Sequence, residues 1–334
     1  MDAPAAPGPA GKGPEGLTVS VIIPSYNRRD QLLRTLSPLV RDPGAHEIVV
    51  VNDGGTDGSL EAVHALAATD PRVRALDVPN GGQRQARLTG ARAATGEVVL
   101  FLDDDVVPGF GLAAGHALRH AERPGLVVLG YMPILLPARR RAGLYPSYLY
   151  ASEYERRADA WERDPGETLR GFWAGNHSLR REDFLAVMAG DTPPLTYHDD
   201  LDFGLRCLAH GLEGRFDRSL VARHEHRRDP DGFERDAARS GADLWHVHCR
   251  HPARVPEPTP RQMAAGLPLP ARAMLALAAT GTGGRGIAAA LRAFTAVTGR
   301  LGAFRAEELA GEMLRRCVQQ AAIAEARRVE GAAA

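Results

Sequence analysis

Gly96 to Pro108 reads GEVVLFLDDDVVP, five apolar residues, Val98 to Leu102, running straight into three consecutive carboxylates, Asp103, Asp104 and Asp105. An apolar run of that length without alternation predicts a strand buried on both faces. Its C-terminal end then delivers the acids to a sheet edge, where open α/β sheets bind ligands. Adjacent carboxylates repel one another by about 1 kcal/mol per pair in water-like surroundings, and by more when desolvated, so the triplet needs a compensating cation or full hydration. A divalent metal, Mn²⁺ or Mg²⁺, answers that need, because such ions are held by one or two carboxylates and complete their shells with water and phosphate oxygens. A solvated acidic turn is the plainer alternative, and the buried strand ahead of the triplet argues against it.

Outward from this strand, the upstream chain repeats one form. LTVSVIIP from Leu17 is a β-branched strand stopped by Pro24, and SYNRRDQLLRTLSPLV places Leu32, Leu33, Leu36, Leu39 and Val40 at helical spacing, with Asn27 or Ser25 as its cap. EIVVVND is a second buried strand ending in Asn52 and Asp53, followed by the turn GGTDGS and the helix LEAVHALAAT. VRALDV and the glycine-led NGGQRQARLTGARAATG add a third strand and helix. This rhythm predicts an α/β fold, a Rossmann-like, doubly wound, mostly parallel central sheet flanked by helices, with Asp53 and the triplet on one edge.

Downstream, a helix is expected around Leu112 to His120, a strand at GLVVLGYMPI, a charged helix at SEYERRADAWERD, and a turn-rich loop at GFWAGNHSLRREDF before a short helix near Asp183. PLTYHDDLDFGLRCLAHG carries a second acidic cluster. Leu201, Leu205 and Leu208 mark a helix whose first turn holds Asp199 and Asp200, a position that by itself could mean only dipole stabilisation. RFDRSLVARHEHRR reads as a strand with His224 and His226 on one face, and a helix follows from about Phe233 to Val247. The tail from Arg261 is Ala- and Leu-rich and helical. GTGGRG at Gly281 to Gly286 has the glycines of a nucleotide loop but no strand before it, so a helix–helix connection is expected there. Leu275, Leu277, Ile287, Leu291 and Phe294 could pack on the core, on a second subunit of a homo-oligomer, or on a membrane surface. The domain division expected is a disordered tail over 1–16, a domain over 17–230 with a nucleotide-binding half (17–135) and an acceptor half (136–230), and a C-terminal helical extension over 231–334.

The 41 basic and 41 acidic residues cancel, so no bulk field draws the chain to nucleic acid or to anionic lipid, and nucleic acid is not an expected partner. Three widely separated cysteines without a CxxC argue against a disulfide framework and fit a reducing cytoplasm. His246, His248, Cys249 and His251 lack the spacing of a zinc site. The Pro/Gly/Ala-rich start is neither a signal peptide nor a membrane span, and nowhere else do 18 apolar residues run together.

VSVIIPSYNR, EIVVVNDGGTDGS, GEVVLFLDDDVVP, GNHSLRR and HDDLDFGLR, in this order and spacing from about Val19 to His226, resemble the glycosyltransferase family 2 enzymes. The resemblance implies the GT-A fold and an inverting, metal-assisted transfer of a sugar from a nucleotide-diphosphate sugar, a UDP-sugar first among them. The hydroxyl-bearing acceptor stays open among glycan, lipid, peptide and metabolite. It further implies that Pro24, Tyr26 and Arg28 wall the nucleotide pocket and that Asp53 reads the base. Gly82, Gln83 and Arg87 would lie near the nucleotide. Of the triplet, Asp103 would approach the ribose with Asp104 beside it, and Asp105 would coordinate the metal, its shell completed by His224 or alternatively His226. Asp200 would be the base, with Asp199 its neighbour, and Asp202 a structural acid. Trp173, Gly175 and Asn176 would shape a sugar or acceptor pocket, with core packing the competing role for Trp173. Gly55 stands where the family usually has serine. Two rival readings share these features, a nucleotidyltransferase and a non-catalytic protein that binds sugar nucleotides. SYNRRD is short of the glycines that a nucleotidyltransferase phosphate loop requires.

Overall fold

The computed structural model describes residues 16–190, 192–225 and 227–333, so the expected tail, Gly16 apart, and His226 lie outside the described residues. The elements in chain order are β1 (Val19–Ser25), α1 (Arg29–Leu39), β2 (Glu47–Asp53), α2 (Ser59–Ala67), β3 (Val73–Val78), α3 (Gln83–Ala93), β4 (Val98–Leu102), β5 (Val106–Pro108), α4 (Leu112–Glu122), β6 (Leu126–Tyr131), α5 (Tyr145–Arg163), α6 (Glu167–Arg170), β7 (Asn176–Arg180), α7 (Arg181–Val187), α8 (Asp199–Ala209), β8 (Glu213–His224), α9 (Pro230–Arg250), α10 (Pro260–Met263), α11 (Leu269–Ala278), α12 (Gly281–Arg300) and α13 (Phe304–Ala333). They group into two compact units. One comprises the chain up to Leu135 with 157–192 and 206–225, and the other comprises 136–156, 193–205 and the chain beyond Glu225.

The first unit is built on a sheet of order β3-β2-β1-β4-β7-β6-β8-β5. Every residue of β4 from Val98 to Leu102 has 0% exposure. Burial of such side chains contributes roughly 1.5 to 3 kcal/mol each, which is why this segment sits at the sheet centre. β3, β2, β1 and β4 run parallel, as the βαβα rhythm predicts. The sheet then turns mixed. The segment expected as a turn-rich loop contains β7, which runs antiparallel between β4 and β6. Its residues NHSLR hide the strand from sequence reading because three of the five are polar yet buried, with Asn176 and Ser178 partnered by α4 rather than by water and His177 stacked on Phe101.

The entry to α1 also differs from expectation. Neither Ser25 nor Asn27 caps it. Asn27 adopts φ 52°, and its side-chain oxygen accepts from Thr56 N–H at 2.7 Å, while the carboxylate of Asp57 accepts from Arg29 N–H at 2.8 Å. The cap therefore comes from the turn after β2, which ties the two loops at the sheet edge together. Gly55 fits the same packing. A Cβ there would lie 2.7 Å from the Asn52 side-chain oxygen, so a serine would force the loop to move.

In the second unit α9 lies along α13, and Gly241 allows the approach, because a Cβ would stand 2.3 Å from the Gln319 carbonyl oxygen. Gly241→Val is expected to destabilise this unit by roughly 1 to 3 kcal/mol through overpacking. An unchanged thermal midpoint in the variant would refute the close contact. GTGGRG is not a connection but the first turns of α12, where a Cβ on Gly284 would meet the Ala278 carbonyl oxygen at 2.6 Å. Leu275, Ala278 and Cys317 belong to one core cluster of this unit, with Ile287 and Leu291 packed on it, whereas Leu277 and Phe294 face solvent. Among the described residues no helix is long and apolar enough to cross a membrane.

Candidate active site

The triplet leaves β4 at the sheet edge, and its three carboxylates take three different sets of partners. Asp103 accepts from Gln83 Nε2 at 2.7 Å and from Arg87 Nη2 at 2.8 Å. Arg87, on α3, is only 8% exposed, so this is an inward-facing cation rather than a surface arginine. Asp104 turns inward, accepting from Ser25 Oγ at 2.9 Å and from Arg28 Nη1 at 3.2 Å. Burial pushes its carboxyl up to about 6, against the opposing pull of Arg28 and with the added repulsion of Asp105. Asp105 accepts from the same Arg28 nitrogen at 2.7 Å. Two arginines thus supply part of the positive charge that the triplet requires. Burial opposes the charged form of Arg28, but Asp104 and Asp105 more than offset it and raise the pKa of that guanidinium.

The other oxygen of Asp105 faces His224 Nε2 at 3.3 Å. β5 brings them together by pairing antiparallel with β8 so that Val106 lies opposite His224, and Glu225 N–H donates to the Asp105 carbonyl. Two donors at right angles about an ion with bonds of ~2.1 Å stand about 3.0 Å apart, so this carboxylate–imidazole pair suits Mn²⁺ or Mg²⁺ in both spacing and donor type. Among the described residues no group of three or more His, Cys, Asp or Glu side chains could hold an ion. An ion at Asp105 and His224 would therefore draw its remaining ligands from substrate and water.

The remaining candidates fall into three groups. Pro24 is buried at the end of β1, and Tyr26, just beyond it, is half exposed at the same edge as Arg28. Asp53 receives Gly81 N–H on one oxygen and Gly82 N–H on the other, at 2.7 and 2.9 Å, so in this state it shapes the turn into α3. Gly82 holds φ +83° there, a conformation that disfavours any side chain. Gly175 sits against the triplet, its carbonyl accepting from Asp103 N–H at 3.2 Å and its missing Cβ leaving room beside Asp103 Oδ2. Trp173 lies under the Arg157 guanidinium at 5.7 Å and is partly exposed. Asn176 stands apart, with 0% exposure, its Nδ2 donating to the Leu220 carbonyl and its Oδ1 paired with His116.

Asp199 and Asp200 open α8 in the second unit. Asp199 accepts from Leu195 N–H at 3.3 Å. Asp202 is fully buried and paired with His251 at 3.0 Å and Arg250 at 3.5 Å, the structural acid expected. Of the histidines that follow in α9 and just beyond it, His248 pairs with the Val255 carbonyl and His251 with Asp202.

Sequence reasoning missed one polar cluster. His116 and His120 of α4 both reach Ser178 Oγ at 2.7 Å, and His116 also meets Asn176 at 3.1 Å. His177 stacks on Phe101 of β4. Burial holds His116 down at about 4 and His120 at about 3, and pushes His177 well below the usual imidazole range. The cluster clamps β7 beside β4 and so sets Gly175 against Asp103. The i, i+4 spacing of His116 and His120 was visible in the sequence, but their partners come from a strand that was not.

Residues 20–183 match the model of glycosyl transferase family 2. They form a glycosyltransferase family 2 domain. The fold agrees: the chain superposes on the mannosyltransferase PcManGT from Pyrobaculum calidifontis, solved in complex with GDP-Man and Mn²⁺, with a TM-score of 0.56 and 21% identity over 95% of this chain and 89% of that one. This is the GT-A fold that the motifs led us to expect. The family 2 domain is also similar in sequence to the uncharacterized glycosyltransferase YibD of Escherichia coli, 41% identical over 27% of each chain. A second relative, the uncharacterized glycosyltransferase EpsJ of Bacillus subtilis, is 39% identical over 26% of each chain. The match spans about a quarter of the length of these relatives.

Proposed function

We propose that this chain transfers a sugar from a nucleotide-diphosphate sugar to a hydroxyl-bearing acceptor. The observation that carries the reading is the acid triplet at the end of β4, with Arg87 and Gln83 on Asp103 and with Asp105 turned toward His224. In a family 2 domain this edge suits a diphosphate, because it offers guanidinium groups and a site for a hard cation beside a ribose-sized carboxylate partner. Asp105 and His224 would hold the ion, which would neutralise charge developing on the diphosphate leaving group. The Mn²⁺ and GDP-Man bound by the Pyrobaculum neighbour support this choice of ligands.

The chain's own residues divide the remaining work. Asp103, steadied by Gln83 and Arg87, presents a carboxylate to the donor ribose, and Arg28 holds Asp104 and Asp105 in place. Asp200 is the proposed base, by its place in HDDLDFGLR. It takes the proton of the acceptor hydroxyl as the oxygen bonds to the anomeric carbon; the bond to the diphosphate oxygen breaks, and its electron pair leaves with the diphosphate. A single direct displacement inverts the anomeric centre. A donor-only binding protein would keep the triplet but have no need of this base.

Titration calorimetry with nucleotide diphosphates and nucleotide sugars, with and without Mn²⁺, tests the site. Metal-dependent binding of one nucleotide to wild type is expected, and Asp105→Ala should weaken it by about tenfold or more through loss of one of two protein ligands. If folded wild-type protein binds no nucleotide under any of these conditions, the transferase reading falls.

A further inference from the structure

From Pro258 to Ala306 the chain contains six arginines and not one Asp or Glu, although the whole sequence is neutral. Arg261, Arg272, Arg285, Arg292, Arg300 and Arg305 are all exposed, and among the described residues only Arg292 is drawn into an ion pair, with Glu234. The same segment carries most of the large apolar side chains left open in the second unit. Leu269 is 78% exposed and Leu301 77%, and Leu277, Phe294 and Val297 are each about half exposed. At ~100° per residue, Arg285, Arg292 and Arg300 fall along one margin of the solvent face of α12, and Phe294, Val297 and Leu301 along the other.

We propose that α11 and α12 form a docking face for an anionic lipid bilayer surface. A helix that lies in the plane of a membrane combines a basic margin with protruding Phe and Leu side chains, and its binding adds apolar insertion to attraction by acidic headgroups. Both components are present here, and the absence of every acid over the segment removes the repulsion that headgroups would otherwise meet. A second copy of this chain fits the face poorly, because an isologous contact would set one basic margin, on which only Arg292 among the described residues has an acid partner, against another. A nucleic acid would use the arginines but leave the apolar side chains in water. The protein would rest on the bilayer rather than cross it. This inference stands on the second unit alone and does not depend on the proposed reaction.

Co-sedimentation of the full chain with vesicles of phosphatidylcholine, and with equimolar phosphatidylcholine and phosphatidylglycerol, tests it. Wild type is expected to sediment with the anionic vesicles, to remain in solution with the neutral ones, and to be released by high salt. Arg285→Glu with Arg300→Glu should lower the partition at least about twentyfold, from roughly fivefold per basic residue near such a surface. Phe294→Ser with Leu301→Ser should lower it as well, and because all four positions are exposed, circular dichroism should show both variants folded. Folded wild type that stays in solution with anionic vesicles would overturn the proposal, as would equal binding to both vesicle types. So would a concentration-dependent dimer abolished by Phe294→Ser, which would give the face to a second copy.

Discussion

Replacement of Asp200 by asparagine is expected to lower sugar transfer by about 100- to 10,000-fold, the range for loss of a positioned general base. Metal-dependent nucleotide binding should stay at the wild-type level, since the donor ligands proposed here, Asp103, Asp105, Arg87 and His224, lie elsewhere in the chain. The amide is close to isosteric with the carboxylate and keeps the first turn of α8, but it cannot take a proton near neutral pH. Asp199→Asn should act differently. Asp199 accepts from Leu195 N–H, so its replacement disturbs the loop before α8 more than it disturbs proton transfer. Steady-state transfer and calorimetry on the same preparations separate the cases. Full turnover in Asp200→Asn would move the base to another residue, and parallel loss of nucleotide binding would make Asp200 a donor ligand instead.

A second large effect is expected on stability in mild acid. His116, His120 and His177 are buried and neutral in the folded protein, with His116 held at about 4 and His120 at about 3, whereas an unfolded histidine titrates near 6.5. Between those values the unfolded chain binds more protons than the folded one, so stability rises with pH and is lost as pH falls below about 6.5. At about pH 5 His116 and His120 each cost about 2 kcal/mol, roughly 4 kcal/mol together, with His177 acting in the same direction, a large part of an ordinary domain's stability. Urea unfolding from about pH 7 to about pH 5 measures the slope. His120→Leu should flatten it by about 2 kcal/mol between those limits, even if it lowers stability at neutral pH through loss of the bond to Ser178. An unchanged slope in that variant would remove His120 from the cause. Because this cluster seats β7 against β4, loss of nucleotide binding should follow the same acid transition.

Much of the fold and half of the candidate site could be read in advance. The run from Val98 to Leu102 read as a strand buried on both faces, and the βαβα rhythm around it predicted a mostly parallel sheet with Asp53 and the triplet on one edge. Local chemistry was enough, because apolar periodicity and glycine-rich turns report their environment through composition. β7 could not be found in this way. Its asparagine and serine are buried with partners on α4 and β8 that lie 44 to 62 positions away, and its histidine stacks on Phe101 of β4.

The same division holds at the site. Sequence by itself determined which residues carry charge at the sheet edge, that three carboxylates there needed positive counterparts, and that a second acidic cluster opened a helix downstream. Tertiary structure alone decided the pairing. Arg28 bridges Asp104 and Asp105, Arg87 turns inward to Asp103, Asp53 faces the Gly81 and Gly82 amides, and the pairing of β5 with β8 brings Asp105 to 3.3 Å from His224. Each pairing joins residues that are strangers in sequence. Their meeting depends on strand order and register, which follow from how the whole core packs and not from the composition of any one segment.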